Sequence, residues 1–314
     1  VGTYKVFSAA NQYLAETGRE PVFRVQLVGA QPESGLYGGL FAVRPDHFLA
    51  APPPTDLIVI PAIQPESTPD NAAFIPWIQA ARKAGSDVAS LCVGAFLLAE
   101  TGLLNGRECT THWRAAPHFA AAYPAVTLLP EKVITEEKGI FTSGGAYSFL
   151  NLVLYLVEKH AGREVSVFVS KLLEVDLERA SQSHFTIFNG QKEHADEPIK
   201  RAQEYIEKNL SEKISVDQLA VRFAISRRNF ERRFRKATAN SPAEYLQRVK
   251  IEAAKKLLEK GAENITQIMY AVGYSDGKAF RIKFRQLTGL SPLEYKRKYC
   301  RSTTLVPDRD AANY

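Results

Sequence analysis

The stretch GYSDGKAFRIKFRQLTGLSPLEYKRK, Gly273–Lys298, has a counterpart earlier in the chain, within SVDQLAVRFAISRRNFERRFRKATANSPAEYLQR, Ser215–Arg248. Phe230 and Phe234 recur as Phe280 and Phe284, and Ser241, Pro242, Glu244 and Tyr245 recur as Ser291, Pro292, Glu294 and Tyr295, all 50 residues apart. Such agreement at one offset identifies two copies of one supersecondary unit. Each copy opens with apolar residues at i, i+3, i+4, i+7: Val216, Leu219, Ala220 and Phe223, then Ile265, Ile268, Met269 and Val272. That is the spacing of an amphipathic helix. A tight turn follows, Ala224-Ile225 or Gly273-Tyr274, and Ser226 or Ser275 is expected to start a second helix with its paired phenylalanines inward.

Helix, short turn, helix is the arrangement that lays a second helix in a DNA major groove. The outer face of that helix carries Arg227, Arg228, Asn229, Glu231, Arg232 and Arg235 in the first copy, and Asp276, Lys278, Arg281, Lys283 and Arg285 in the second. Arg presents two donors to guanine, Glu accepts from cytosine, and Lys or Arg pairs with phosphates. Solubilising charge alone would account for one such helix; two copies basic on the same face argue for a polyanion. Ser241-Pro242-Ala243-Glu244 and Ser291-Pro292-Leu293-Glu294 are capping boxes with Pro at the first helical position. The helix opened at Pro242 is expected to reach Lys260, with Leu246, Val249, Ala253 and Leu257 on one face. At 1.5 Å per residue it spans about 28 Å, close to the ~34 Å of one duplex turn.

Charge follows the same division. The chain of 314 residues has a net charge of +6, yet residues 1–190 hold 14 Lys and Arg against 18 Asp and Glu, a net of −4. The remainder holds 26 against 16, a net of +10, so the second part is the one suited to nucleic acid. Hydrophobic residues at 45% and charged residues at 24% exclude collagen-like and wholly disordered chains. No apolar run is long enough for a membrane span, so no membrane partner is expected. The first residues lack the basic flank and apolar core of a signal peptide. Three separated cysteines, Cys92, Cys109 and Cys300, suit a reducing cytoplasm. Cys and His are nowhere grouped at ligand spacing, so neither metal nor cofactor is expected.

Residues from about Pro198 to Lys298 resemble the double helix-turn-helix domain of AraC/XylS-type transcription regulators, most specifically over Gly273–Lys298. The resemblance implies sequence-specific binding of double-stranded DNA at a promoter or operator, under control of a small-molecule effector, with RNA polymerase as a further partner. It places Arg228, Glu231 and Arg232 as base readers of the first unit, with Lys278 and Arg281 as candidates in the second. The chain departs from the commonest pattern at Gly277 and Lys278, so the target sequence does not carry over. Many such regulators dimerise through the sensor domain, which makes a homodimer an implied state.

The first part alternates short apolar runs (Phe23–Val28, Leu57–Ile60, Val88–Leu91) with helical spacing over Tyr4–Thr17, Asn71–Lys83, Ala95–Glu100 and Phe149–Lys159. Alternation of this kind predicts a parallel sheet covered by helices on both faces. The chain opens in a helix and without Met, so a first strand is expected to be missing. Within VASLCVGAFLLAETGLLNGRECTTHW, Val88–Trp113, Cys92 follows a strand and precedes a Gly and a helix. That is a nucleophile-elbow position, where helix N–H groups are expected to lower a thiol pKa. His112 is placed to meet Cys92 above the sheet edge. Trp113 lines that pocket or packs the core.

The stretch resembles the ThiJ/PfpI, class I glutamine amidotransferase-like superfamily, a match over most of residues 1–175. Thr142–Gly145 looks like that group's second pocket loop, and Asn151 stands where the group often has Asp. The resemblance implies a ligand pocket of Cys92, Val93, His112, Gly144 and Gly145. Enzymatic partners are wanting: no His has Glu two residues on, Val93 replaces the His that follows Cys in the peptidase-like branch, and the early strand supplying an acid is absent. A non-catalytic sensor is therefore preferred, with thiol-dependent hydrolase or amidase chemistry, or redox sensing at Cys92, as the alternative. The expected layout is a flavodoxin-like α/β sensor domain over 1–180, a linker over 181–197, an all-α reader with two helix-turn-helix units over 198–302, and a tail over 303–314.

Overall fold

The computed structural model describes residues 1–36, 38–63, 69–177, 179–261 and 264–300; the expected tail lies outside the described residues. The chain divides into two compact units, Val1–Gln182 and a second that begins at Ser183. In the first, α1 (Gly2–Glu16) precedes β1 (Val28–Gly29), β2 (Ser34–Leu36), β3 (Phe41–Val43), β4 (His47–Phe48) and β5 (Leu57–Ile60). There follow α2 (Pro69–Ala72), α3 (Ile75–Lys83), β6 (Asp87–Ser90), α4 (Ala95–Glu100), β7 (Glu108–Cys109) and α5 (Ala116–Ala122). Then come β8 (Thr127–Leu128), β9 (Ile134–Glu137), β10 (Ile140–Ser143), α6 (Ser148–Ala161) and α7 (Arg163–Leu172).

The central sheet has the order β5-β6-β10-β9. Its first three strands are parallel, and β9 closes one edge antiparallel to β10, so the sheet is mixed rather than wholly parallel. Helices α1, α6 and α7 bury Ala89, Leu91 and Phe141 on one face. On the other, α3, α4 and α5 cover Ile58, Ile60, Val88 and Ile140. Burial on both faces explains why these strands read as continuous apolar runs. Among the described strands β5 pairs on one side only.

Two elements differ from expectation. Of Phe23–Val28 only Val28 is in a strand, pairing with His47. Upstream, the Asn11 side chain accepts from the N–H groups of Val22 and Phe23 at 3.0 and 2.9 Å and donates to the Phe23 carbonyl. A side chain thus satisfies backbone that a neighbouring strand would have paired. The helix expected over Asn71–Lys83 is interrupted, because Pro76 starts α3 afresh at its first turn.

The second unit is helical: α8 (Glu197–Lys208), α9 (Val216–Arg222), α10 (Arg227–Thr238), α11 (Pro242–Lys260), α12 (Ile265–Ala271), α13 (Gly277–Thr288) and α14 (Pro292–Tyr299). Its two cores mirror each other. Phe230, Phe234 and Tyr245 fill one, and Phe280, Phe284 and Tyr295 fill the other. Helix α11 serves both, so its buried residues occupy more than the single face expected; Leu246, Val249, Ala253 and Leu257 are only half-buried. Capping boxes open α9, α11, α12 and α14.

The segment read as a linker is divided between the units. Gln182 is buried in the first, where its Nε2 donates to the carbonyls of Pro130 and Thr111 at 2.8 and 2.9 Å. Residues 183–196 pack on the second. Phe188 stacks edge-on against Tyr245 and donates its N–H to Glu252 at 3.1 Å. Glu252 forms a buried pair with Lys255 at 2.8 Å, and Lys255 also donates to the Thr186 carbonyl. Asp196 caps α8 and grips Arg233 of α10 through two bonds of 2.6 and 2.8 Å. Of these two pairs only Glu252–Lys255 is buried, so removing one of its partners would leave an uncompensated charge and be strongly destabilising.

Candidate nucleic-acid interface and ligand pocket

In each repeat the turn between the helices depends on one left-handed residue, Ala224 at φ 53° and Gly273 at φ 72°. The second helices then start at equivalent positions, after Ser226 and after Asp276. The second copy therefore holds one extra residue, Ser275, and Asp276 rather than Ser275 is its cap. Asp276, expected on the outer face and exposed there, accepts from the Lys278 N–H at 2.8 Å and so caps this helix.

The residues expected on the outer face of α10 fall into two groups. Arg227 donates to both oxygens of Asp217 at 3.1 Å and to Glu231 at 3.2 Å, tying α9 to α10. Asn229 accepts from Arg232 at 2.8 Å and orients it. Arg228 and Arg235 are exposed and make no hydrogen bond or ion pair with other described residues. Arg228, Glu231, Arg232 and Arg235 line a shallow open depression of about 510 Å³ together with Ser241 and Lys236. Lys236 was missed, although its signal lay in the sequence: Arg228, Arg232 and Lys236 are spaced four apart and share one helix face. On α13, Lys278, Arg281 and Arg285 are exposed, and Lys283 donates to Gln286 at 2.8 Å. The 19 residues of α11 connect the two reading helices.

In the first unit, β6 ends one residue before Leu91, and Cys92 itself is left-handed at φ 57°. Gly94 is obligatory there, because a Cβ would stand 2.5 Å from the Pro61 carbonyl oxygen. The Cys92 N–H donates to Ser143 Oγ at 3.3 Å, and Thr111 Oγ1 donates to the Cys92 carbonyl at 2.9 Å. N–H groups of Ala146 and Val93 favour a thiolate, but burial outweighs them and pushes the Cys92 thiol up. Burial thus works against the lowered thiol pKa expected from the elbow, and the shift runs upward.

His112 packs its ring against Gly145, where a Cβ would lie 2.6 Å from Cδ2. Burial first, then Arg114, pull its imidazole below the ordinary value. Its Nδ1 accepts from the Arg114 N–H at 3.0 Å, so the neutral ring carries its proton on Nε2. Trp113 lies beside it, ring centroids 5.4 Å apart. Cys92 and His112 thus flank the Gly144–Ala146 turn, with Val93 next to Cys92 in the chain, and no hydrogen bond joins Cys92 to His112 among the described residues. The Gly145 N–H is taken by Gln182 Oε1 at 2.9 Å, and Gly144 is held at the same amide. Gln182, which holds the Gly144–Gly145 turn, was missed by sequence reasoning because it lies in a polar stretch without periodicity. Asn151 is buried and donates to the Asp176 carbonyl at 2.6 Å. Among the described residues no group of His, Cys, Asp and Glu could hold a metal ion, and no helix is long and apolar enough to cross a membrane.

Residues 11–159 match the DJ-1/PfpI family, and residues 219–298 match the family described as helix-turn-helix domain. The HTH-type transcriptional regulator GbdR of Pseudomonas aeruginosa is 27% identical over 254 residues, which cover 80% of this chain and 68% of that protein. The HTH-type transcriptional regulator GlxA of Rhizobium meliloti is 24% identical over 238 residues, 75% of this chain and 72% of that protein. A crystal structure of an AraC family transcriptional regulator from Pseudomonas putida aligns with 55% of this chain and 92% of its own, at 19% identity and a TM-score of 0.45. With a DJ-1/PfpI domain followed by two helix-turn-helix units in one helical reader, the chain belongs to the AraC-type DNA-binding transcription regulators.

Proposed function

We propose that a small molecule held around Cys92 controls how α10 and α13 read a promoter. In this reading Arg228, Glu231 and Arg232 contact bases of one half of the site, and Lys278 and Arg281 contact bases of the next. Arg235, Lys236, Lys283 and Arg285 hold phosphates, which position the reader without carrying sequence information. Arg227 and Asn229 act indirectly, by fixing Glu231 and Arg232. The observation that carries the reading is the repeated geometry: one helix-turn-helix unit, repeated about 50 residues on, turns a cationic helix face outward twice. The protein acts in the cytoplasm, and RNA polymerase is the machine whose access it alters. A homodimer formed through the first unit is part of the proposal.

The pocket favours an anionic or carbonyl group, because the Val93 and Ala146 N–H groups point at the place Cys92 occupies. It binds rather than catalyses. Burial opposes ionisation of the thiol, and no base is hydrogen-bonded to it among the described residues. The test is a reporter assay with metabolites, beginning with amines and amino-acid derivatives, run beside DNA binding. Cys92→Ser retains the response, and Cys92→Trp abolishes it with DNA binding intact. A second reading, thiol chemistry, is favoured by the left-handed backbone at Cys92. Loss of the response in Cys92→Ser, or a response only under oxidising conditions, would establish that second reading instead.

A further inference from the structure

The two reading helices differ at the centre of their outward faces. Phe280 and Phe284 are 1% and 0% exposed, and Ile282, midway between them, points the opposite way and is 58% exposed. The equivalent residue of the first unit, 50 positions earlier, is Arg232. Around Ile282 stand Lys278, Arg281 and Arg285, all exposed, and Ala279, exposed one turn earlier. An isoleucine ringed by three cations is poorly matched to an apolar protein partner, which would have to desolvate those charges. It is well matched to a major groove, where phosphates meet the cations and the base edges offer one apolar group, the thymine C5-methyl.

We propose that Ile282 is a specificity-determining residue that reads a thymine methyl, with Ala279 leaving room for the approach. The inference rests on the DNA-reading assignment above. It makes the two units unequal readers: the first selects by guanidinium donors, the second by an apolar contact at one A·T pair.

The probe is the duplex that the wild-type protein enriches from a random pool. Each thymine is replaced in turn by deoxyuridine, which removes the methyl and nothing else. Wild-type binding should weaken about four-fold at one thymine, the weight of one buried methyl group at about 0.8 kcal/mol. Ile282→Ala should bind the unmodified duplex more weakly and be indifferent to that deoxyuridine. With cytosine placed at that position, 5-methylcytosine should bind the wild-type protein more tightly than unmodified cytosine. Ile282→Arg should move the preference there towards guanine, the base proposed for Arg232 in the first unit. The proposal is overturned if no deoxyuridine weakens the wild type, or if Ile282→Ala keeps the same sensitivity. Enrichment of no sequence at all would overturn the DNA-reading assignment itself.

Discussion

The repeat supplies its own control for backbone strain. Helix α10 ends on Ala239 in the left-handed region at φ 54°, and α13 ends at the equivalent place on Gly289 at φ 75°. The turn before each reading helix shows the same contrast, Ala224 at φ 53° against Gly273 at φ 72°. A residue with a Cβ gives up roughly 1–2 kcal/mol in that conformation, while glycine loses about 0.5–1 kcal/mol more backbone entropy on folding. Ala239→Gly and Ala224→Gly should therefore each stabilise the second unit by roughly 0.5–1 kcal/mol, and Gly289→Ala should destabilise it by a similar amount. Gly273→Ala should be worse by roughly another 1–3 kcal/mol. Its Cβ would stand 2.3 Å from the Leu210 carbonyl oxygen and 2.6 Å from Lys250 Nζ. Urea denaturation separates the units, because both tryptophans, Trp77 and Trp113, lie in the first. Indole fluorescence follows that unit, and the helical circular dichroism lost in a separate transition follows the second. A lower midpoint for Ala239→Gly, or equal losses for Gly273→Ala and Gly289→Ala, would refute the argument.

Other expectations follow from single contacts. The Arg233 guanidinium holds the Asp196 carboxyl below the usual carboxylate range. The stability it lends is present above the unfolded value of about 3.9 and is lost as pH falls through the lower folded value; acid titration of Asp196→Asn should show a correspondingly shallower fall. Gln182→Met should leave the Gly145 N–H and the Thr111 and Pro130 carbonyls unpaired, lowering the first unit's stability by roughly 2–4 kcal/mol in the fluorescence transition. Because burial raises the Cys92 thiol, its alkylation by iodoacetamide should be slow at pH 7 and accelerate only above the ordinary thiol range. A fast reaction at neutral pH would show a thiolate.

Patterns local in sequence were legible, and those made by distant contacts were not. The bounds of α11 could be read because Ser241 and Glu244 reciprocally cap its start and left-handed Gly261 ends it. The inward phenylalanines could be read because they repeat at one offset. Gln182 could not, since its partners Thr111, Pro130 and Gly145 lie 37 or more residues away and bond through their backbones. The packing of residues 183–196 was hidden for the same reason: Glu252 and Lys255 look like surface charges until Phe188 and Thr186 close over them. The Phe23–Val28 strand was not legible because side chains from other parts of the chain take backbone groups at its ends, Asn11 at Phe23 and Asp46 at Leu27. The Cys92 elbow was located correctly, but the sign of its pKa shift depends on burial, which spacing does not reveal.

The claim that two basic helices read sequence is tested most directly by equilibrium binding to two duplexes, the wild-type-enriched site and its scrambled composition, across a salt series. Arg228→Ala or Arg232→Ala should lose about 1–3 kcal/mol on the enriched site and little on the scrambled one. Arg235→Ala or Lys283→Ala should weaken both alike and flatten the salt dependence by about one unit of slope. Equal losses on both duplexes for all four variants would contradict the assignment, reducing the basic unit to a non-specific anchor.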